Sequence, residues 1–139
     1  MREILFRGKS IVGGDWIYGD LIHFSKDISS PKDGTMGIET NALRSTLDRP
    51  WIINVDANTV GQYTGIRDIN GKKIFEGDIL GHKSLRTGKV IANGVVEFSE
   101  EGRYAIRDFD LNLDMVIDVG NFVIGNVYDN PELLKEIRE

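Results

Sequence analysis

The chain has 139 residues, 17 basic and 22 acidic side chains, a net charge of −5 and no cysteine. This length suits one domain that buries about two thirds of its unfolded surface, and the missing cysteine excludes disulfides, thiolate metal sites and a cysteine nucleophile. No apolar run approaches the ~18 residues of a membrane span. MREILFRGKS carries no long apolar stretch after its basic residues, so neither a secretory signal nor membrane association is expected.

Residues 2–7 form a first extended run, and Gly13 and Gly14 mark the turn after it. In WIYGDLIHF (16–24), Trp16, Tyr18, Ile22 and Phe24 share one face, the loose alternation of a half-buried strand. Residues 25–37 are loop-like in composition, with Pro31 and two glycines. Residues 39–48 predict one or two helical turns around Leu43 and Leu47, stopped by Pro50. WIINV (51–55) reads as a buried strand and 56–58 as a turn.

Residues 60–66 are rich in β-branched and aromatic side chains, and Asp68, Asn70 and Gly71 supply turn chemistry after them. Asn70-Gly71 is a strong hairpin signal, because both residues tolerate the positive φ of a primed turn. KKIFEGDIL (72–80) returns as the partner strand, and Gly77 within it marks a bulge or a close backbone approach. A second Asn-Gly pair, Asn93-Gly94, predicts another hairpin turn between KVIA (89–92) and VVEF (95–98). A third turn is expected at 100–102. DFDLNLDM (108–115) alternates strictly, with Phe109, Leu111, Leu113 and Met115 inward, and the parity change after Ile106 implies a bend near 107–108. Residues 116–128 read as a strand pair broken by Gly120 and Gly125. Asn130, Pro131 and Glu132 then predict a helix start, with Leu133, Leu134 and Ile137 on its apolar face. Many short strands with close turn signals argue for a small barrel or a sandwich.

The chemical motifs fail when tested. DFDLN resembles the opening of a calcium loop, but Leu113 stands where that loop needs glycine and Val119 where it needs glutamate. Gly71-Lys72 and Gly88-Lys89 lack the first glycine and the following Ser or Thr of a phosphate-binding loop. Glu76 and Asp78 lie two apart, on one face of a strand. Paired carboxylates can serve as general acid and base, yet no nucleophile or histidine stands beside them. His23 and His82 are alone in sequence. Neither catalytic residues nor metal ligands nor a cofactor are expected. Trp16, Tyr18, Tyr63 and Phe75 could stack bases, though strand spacing favours core roles.

The charge is unevenly placed. Residues 101–139 hold four basic and nine acidic groups, which is the whole excess of −5. Between 72 and 89, Lys72, Lys73, Lys83, Arg86 and Lys89 face only Glu76 and Asp78, a local +3. This stretch is either a solvated loop or a polyanion contact, and the acidic balance of the whole chain opposes the second.

MREILFRG, then VGQYTGIRDINGKKIFEGDIL (60–80), GVVEF (94–98) and VIGNVYDNPELL (123–134) together resemble the YopX-like family of phage and prophage proteins. The resemblance implies a bacterial cytoplasm, an SH3-like β-barrel in the second half and no catalytic residues to carry over. The expected architecture is a single, mainly β domain over 1–139: an N-terminal β part (1–59), a β-barrel unit (60–128) and a short C-terminal helix (129–139). The expected function is non-enzymatic: a protein-interaction module that contacts a phage or host protein and self-associates. The alternative is a nucleic-acid-binding barrel that uses Lys72, Lys73, Lys83, Arg86 and Lys89 with an exposed aromatic.

Overall fold

The computed structural model describes residues 3–23, 36–40, 51–98, 104–106, 113 and 120–137. The protein is mainly β, with antiparallel pairing throughout the described strands. Its contacts divide it into two compact units, Met1–Tyr63 and Thr64–Glu139.

In the first unit β1 (Phe6–Lys9) pairs with β2 (Trp16–His23), β2 with β3 (Met36–Thr40) and β3 with β4 (Trp51–Val55). Gly61 and Gln62, which open β5 (Gly61–Arg67), pair with the other edge of β1. Gly13 and Gly14 carry positive φ in the β1–β2 turn, and the Ser10 amide donates to the Asp15 carbonyl across it at 2.8 Å. Ile38 and Val55 are fully buried. Gly8 lets the strands approach, since a Cβ there would meet the Val55 side chain at 3.0 Å. At Gly19 an added Cβ would run into the Glu39 carbonyl. Residues 36–40 correct the sequence reading, which gave 25–37 to loop and 39–48 to helical turns. Pairing on both edges, with β2 and with β4, overrides the weak local preference of that stretch. The rest of 24–50 lies outside the described residues. Beyond β4, Asp56 accepts from the Asn58 amide at 3.0 Å and opens a single 3-10 turn, Ala57–Thr59.

In the second unit the later part of β5 neighbours β6 (Lys73–Phe75). A four-stranded sheet follows, in the order β10-β7-β8-β9, built from β7 (Asp78–Lys83), β8 (Val90–Phe98), β9 (Tyr104–Ile106) and β10 (Phe122–Asn126). Two apolar clusters flank its buried side chains. Ile74, Leu80, Val96 and Leu113 form one, with Ile66, Tyr104 and Val123 against it. Ile79, Ala92 and Val95 form the other, and Leu133, Leu134 and Ile137 pack on it. Leu80 and Ile79 are consecutive strand residues, so alternation sends them to opposite faces and the sheet is apolar on both.

Several details of this unit differ from the sequence reading. Residues 72–80 are not one strand. β6 ends at Phe75, and Glu76 and Gly77 turn the chain into β7, which pairs with β8 and β10 instead. Asn93-Gly94 is not a turn. Val90–Phe98 is one continuous strand, and the register shift opposite Leu80 and Gly81 leaves Asn93 as an extra, bulged residue. Leu113 has helical rather than extended backbone and is buried in the first cluster. The rest of 107–119, with the expected strand 108–115, and the turn at 100–102 lie outside the described residues. The C-terminal segment gives a 3-10 turn, Pro131–Leu133, and a single α turn, Leu134–Ile137. The Asn130 side chain does not cap it, because its Oδ1 accepts from the Asn126 amide at 3.2 Å. The described strands form open sheets, with β10 and β9 at the two ends of the four-stranded one, so among the described residues no barrel closes.

Candidate interaction surface

The residues of the most distinctive motif are occupied by the fold. Asp68 is buried, and its carboxylate accepts three backbone N–H groups: Asn70 and Lys72 at 2.9 Å on Oδ1, and Val123 at 3.0 Å on Oδ2. The Gly71 amide donates to the Asp68 carbonyl at 2.9 Å, so Ile69 and Asn70 are the central turn residues and Gly71, with φ +83, follows them. The Asp68 amide also donates to the Lys72 carbonyl at 2.8 Å, so this is a three-residue hairpin loop, 69–71, closed by a glycine bulge, not the two-residue Asn70-Gly71 turn read from sequence. The Asp68 carboxylate fixes the difference by holding both flanking amides.

Glu76 and Asp78 do not form a carboxylate pair on one strand face. Glu76 sits half-buried in the turn, while Asp78 is 1% exposed and accepts from the Phe75 amide at 2.8 Å. Between them Gly77 has φ +92, and a Cβ there would lie 3.0 Å from Tyr128 Cε2. Its amide donates to the Val96 carbonyl and its carbonyl accepts from the Val127 amide, both at 2.9 Å. Gly77 therefore joins β6 to β7 at a corner where a side chain would be strained and would press on the Tyr128 ring. Tyr63 and Phe75 are core residues. Trp16 is half-buried, with the Arg7 guanidinium carbon 4.5 Å and the Lys9 ammonium 5.6 Å from its ring centroid, while Tyr18 beside it is exposed. Among the described residues no group of three or more His, Cys, Asp or Glu side chains could hold a metal ion.

The five cations singled out in the sequence fall on two separate turns. Lys72 is exposed and Lys73 half-buried at the β5–β6 turn. Lys83, Arg86 and Lys89 are exposed at the β7–β8 turn. Both turns set exposed apolar surface beside charge, Ile69 alone at the first (61% exposed) and three aliphatic side chains at the second. Leu85 is 104% exposed, and Val90 and Ile91 are 47% and 41% exposed. Val90 lies directly opposite Lys83, and Ile91 directly opposite His82. Residues 79–96 contain no Asp or Glu and no Phe, Trp or Tyr.

This hairpin is hydrogen-bonded at both its tip and its base. At its tip the Ser84 amide donates to the Lys89 carbonyl at 2.8 Å, and the Gly88 amide donates to the Ser84 carbonyl at 2.8 Å. Ser84 Oγ accepts from the amides of Arg86 and Thr87 at 3.2 and 3.3 Å. Gly88, at φ +74, supplies the left-handed residue that closes the loop. Further back, the bulge aims the Asn93 side chain at two neighbours. Its amide nitrogen lies 2.7 Å from His82 Nδ1 and 2.6 Å from Asn121 Oδ1. An amide nitrogen only donates, so both partners accept. One side chain thereby ties β8 to β7 and to the start of β10. Sequence reading missed this network: its partners are 11 and 28 positions away from Asn93, and Asn93 carried a false turn signal.

The YopX protein family model matches residues 5–135 of this chain. Among solved structures, the crystal structure of protein EF1440 from Enterococcus faecalis is similar, at 22% identity and a TM-score of 0.58. The match covers 96% of this chain and 99% of that one. At that identity the likeness shows the fold alone. No curated protein matches the chain. None of the described helices is long and apolar enough to cross a membrane.

Proposed function

We propose that this chain, which belongs to the YopX protein family, is a non-enzymatic protein-interaction module whose contact element is the β7–β8 hairpin. One observation carries the reading. The hairpin exposes Leu85, Val90 and Ile91 among Lys83, Arg86 and Lys89, on a frame stapled by Ser84 and Asn93. Exposed aliphatic side chains on a preorganised element are costly in water and useful at a contact, because little ordering remains to be done on binding. The absence of a stacking aromatic from residues 79–96 favours a protein over single-stranded nucleic acid, which takes its affinity from base–aromatic stacking as well as charge. The described carboxylates of the motif are engaged in turns, which leaves the non-enzymatic reading the simpler one. The partner is a protein of a bacterial cytoplasm, of host or phage origin.

The test is a photo-reactive residue placed at Leu85 of the full chain in cells that produce it, with every adduct identified by the peptide it joins. A defined protein adduct that survives nuclease treatment, and is lost when the same probe stands at Ile69 on the other turn, supports the reading. Adducts to nucleic acid, or none above the Ile69 control, overturn it. An adduct to the chain itself identifies the partner as a second copy.

A further inference from the structure

The β7–β8 hairpin also states what kind of segment it takes. We infer that its ligand is an acidic protein segment that carries aliphatic side chains among its carboxylates. This rests on the reading of the hairpin as the contact element, and it adds the chemistry of the partner.

Charge gives the first half. Residues 79–96 hold three fixed cations and no carboxylate, in a chain whose net charge is −5. All three cations are exposed at one turn, so their field is not cancelled from within the hairpin. A surface of one sign selects the opposite sign in its partner, mainly through encounter rate and rejection of like charge. The exposed aliphatic residues give the second half. Arg86 follows Leu85 and Lys89 precedes Val90 in the chain, and Lys83 lies across the ladder from Val90. Leu85 and Val90 thus each have a cation as immediate neighbour, so charge and apolar surface alternate over a few residues rather than forming separate patches. A polyphosphate backbone satisfies the cations but leaves Leu85, Val90 and Ile91 in water. A neutral apolar segment covers those three and leaves the cations unmatched. A segment with interspersed Asp or Glu and Leu, Ile or Val does both.

The hairpin's hydrogen bonding bears on the form of this segment. The contact element is ordered before binding, so the partner can be an extended or unfolded stretch that pays its own ordering cost.

The experiment titrates the full-length chain with labelled synthetic peptides and follows fluorescence anisotropy. One peptide intersperses glutamate with leucine, a second glutamate with serine, and a third lysine with leucine. A single-stranded oligonucleotide of equal negative charge and an anionic phospholipid vesicle complete the set. The glutamate–leucine peptide is expected to bind best and to weaken as salt rises. Leu85→Ser is expected to cost about tenfold or more in its affinity, as is the combined Lys83→Glu, Arg86→Glu and Lys89→Glu variant. Circular dichroism confirms that each variant folds. The inference is overturned if the oligonucleotide or the vesicle binds as tightly, if the glutamate–serine peptide matches the glutamate–leucine one, if Leu85→Ser leaves the affinity unchanged, or if nothing binds. Should the Leu85 probe still capture a protein through a segment without acidic residues, the chemistry inferred here fails while the interaction role stands. No protein adduct at all removes both.

Discussion

Asp68 Oδ2 accepts a hydrogen bond from the backbone amide of Val123 at 3.0 Å, across 55 positions of sequence. The same carboxylate holds its own turn through Asn70 and Lys72, so one buried side chain fixes the β5–β6 hairpin and ties it to β10. Hydrogen bonds to a charged group contribute more than neutral ones, and a buried donor left without a partner is costly. Asp68→Ala is therefore expected to destabilise the protein by about 3 kcal/mol. Urea unfolding measures this. A loss as small as that of an ordinary surface substitution, within about 0.5 kcal/mol, would show that water replaces the carboxylate.

Two glycines with similar backbone angles are expected to respond unequally. Gly71 (φ +83) has open space around the position of a Cβ, whereas Gly77 (φ +92) has the Tyr128 ring 3.0 Å from it. Gly71→Ala pays only the left-handed backbone penalty, about 1 kcal/mol. Gly77→Ala adds a tight contact with the Tyr128 ring, for about 2–3 kcal/mol. Equal losses in chemical denaturation would mean that Tyr128 moves aside freely.

The Asn93 network is expected to behave as a unit. In a double-mutant cycle, Asn93→Ala and Asn121→Ala should couple by about 1 kcal/mol. Asn93→Ala should also weaken partner binding a few-fold without removing any contact residue, because it loosens the base of the hairpin. Additive stabilities would show that the two amides bond independently.

The parts of the fold legible in sequence are those set by local chemistry. The strands Trp16–His23 and Trp51–Val55 were read from alternation and from β-branched, aromatic composition. The turn after Asp68 was read from its own residues. Asn70-Gly71 and Asn93-Gly94 present the same dipeptide, yet only the first lies in a turn. The difference is long-range: Val90–Phe98 pairs with β7 on one side and β9 on the other, and that double pairing carries Gly94 straight through. Residues 36–40 were missed for a related reason, since Gly37 weakens the local strand signal and both neighbouring strands supply it. The five cations were visible in sequence as one stretch. Their partition between two turns depended on Gly77, whose corner separates β6 from β7. Of the aliphatic residues at the second turn, Val90 and Ile91 read as ordinary strand positions until their exposure was known, while 81–88, with Leu85, reads as a loop.

The measurement that bears most directly on the interaction role compares two charge reversals of the full chain in the same cross-linking experiment. One variant changes Lys83, Arg86 and Lys89 to Glu at the β7–β8 turn, and the other changes Lys72 and Lys73 to Glu at the β5–β6 turn. If the β7–β8 hairpin is the contact element, the first variant loses the protein adduct formed from Leu85 and the second retains it at both low and moderate salt. Loss of the adduct in both variants, in proportion to the charge removed, would contradict the account, because attraction to a generic polyanion reads only the total charge.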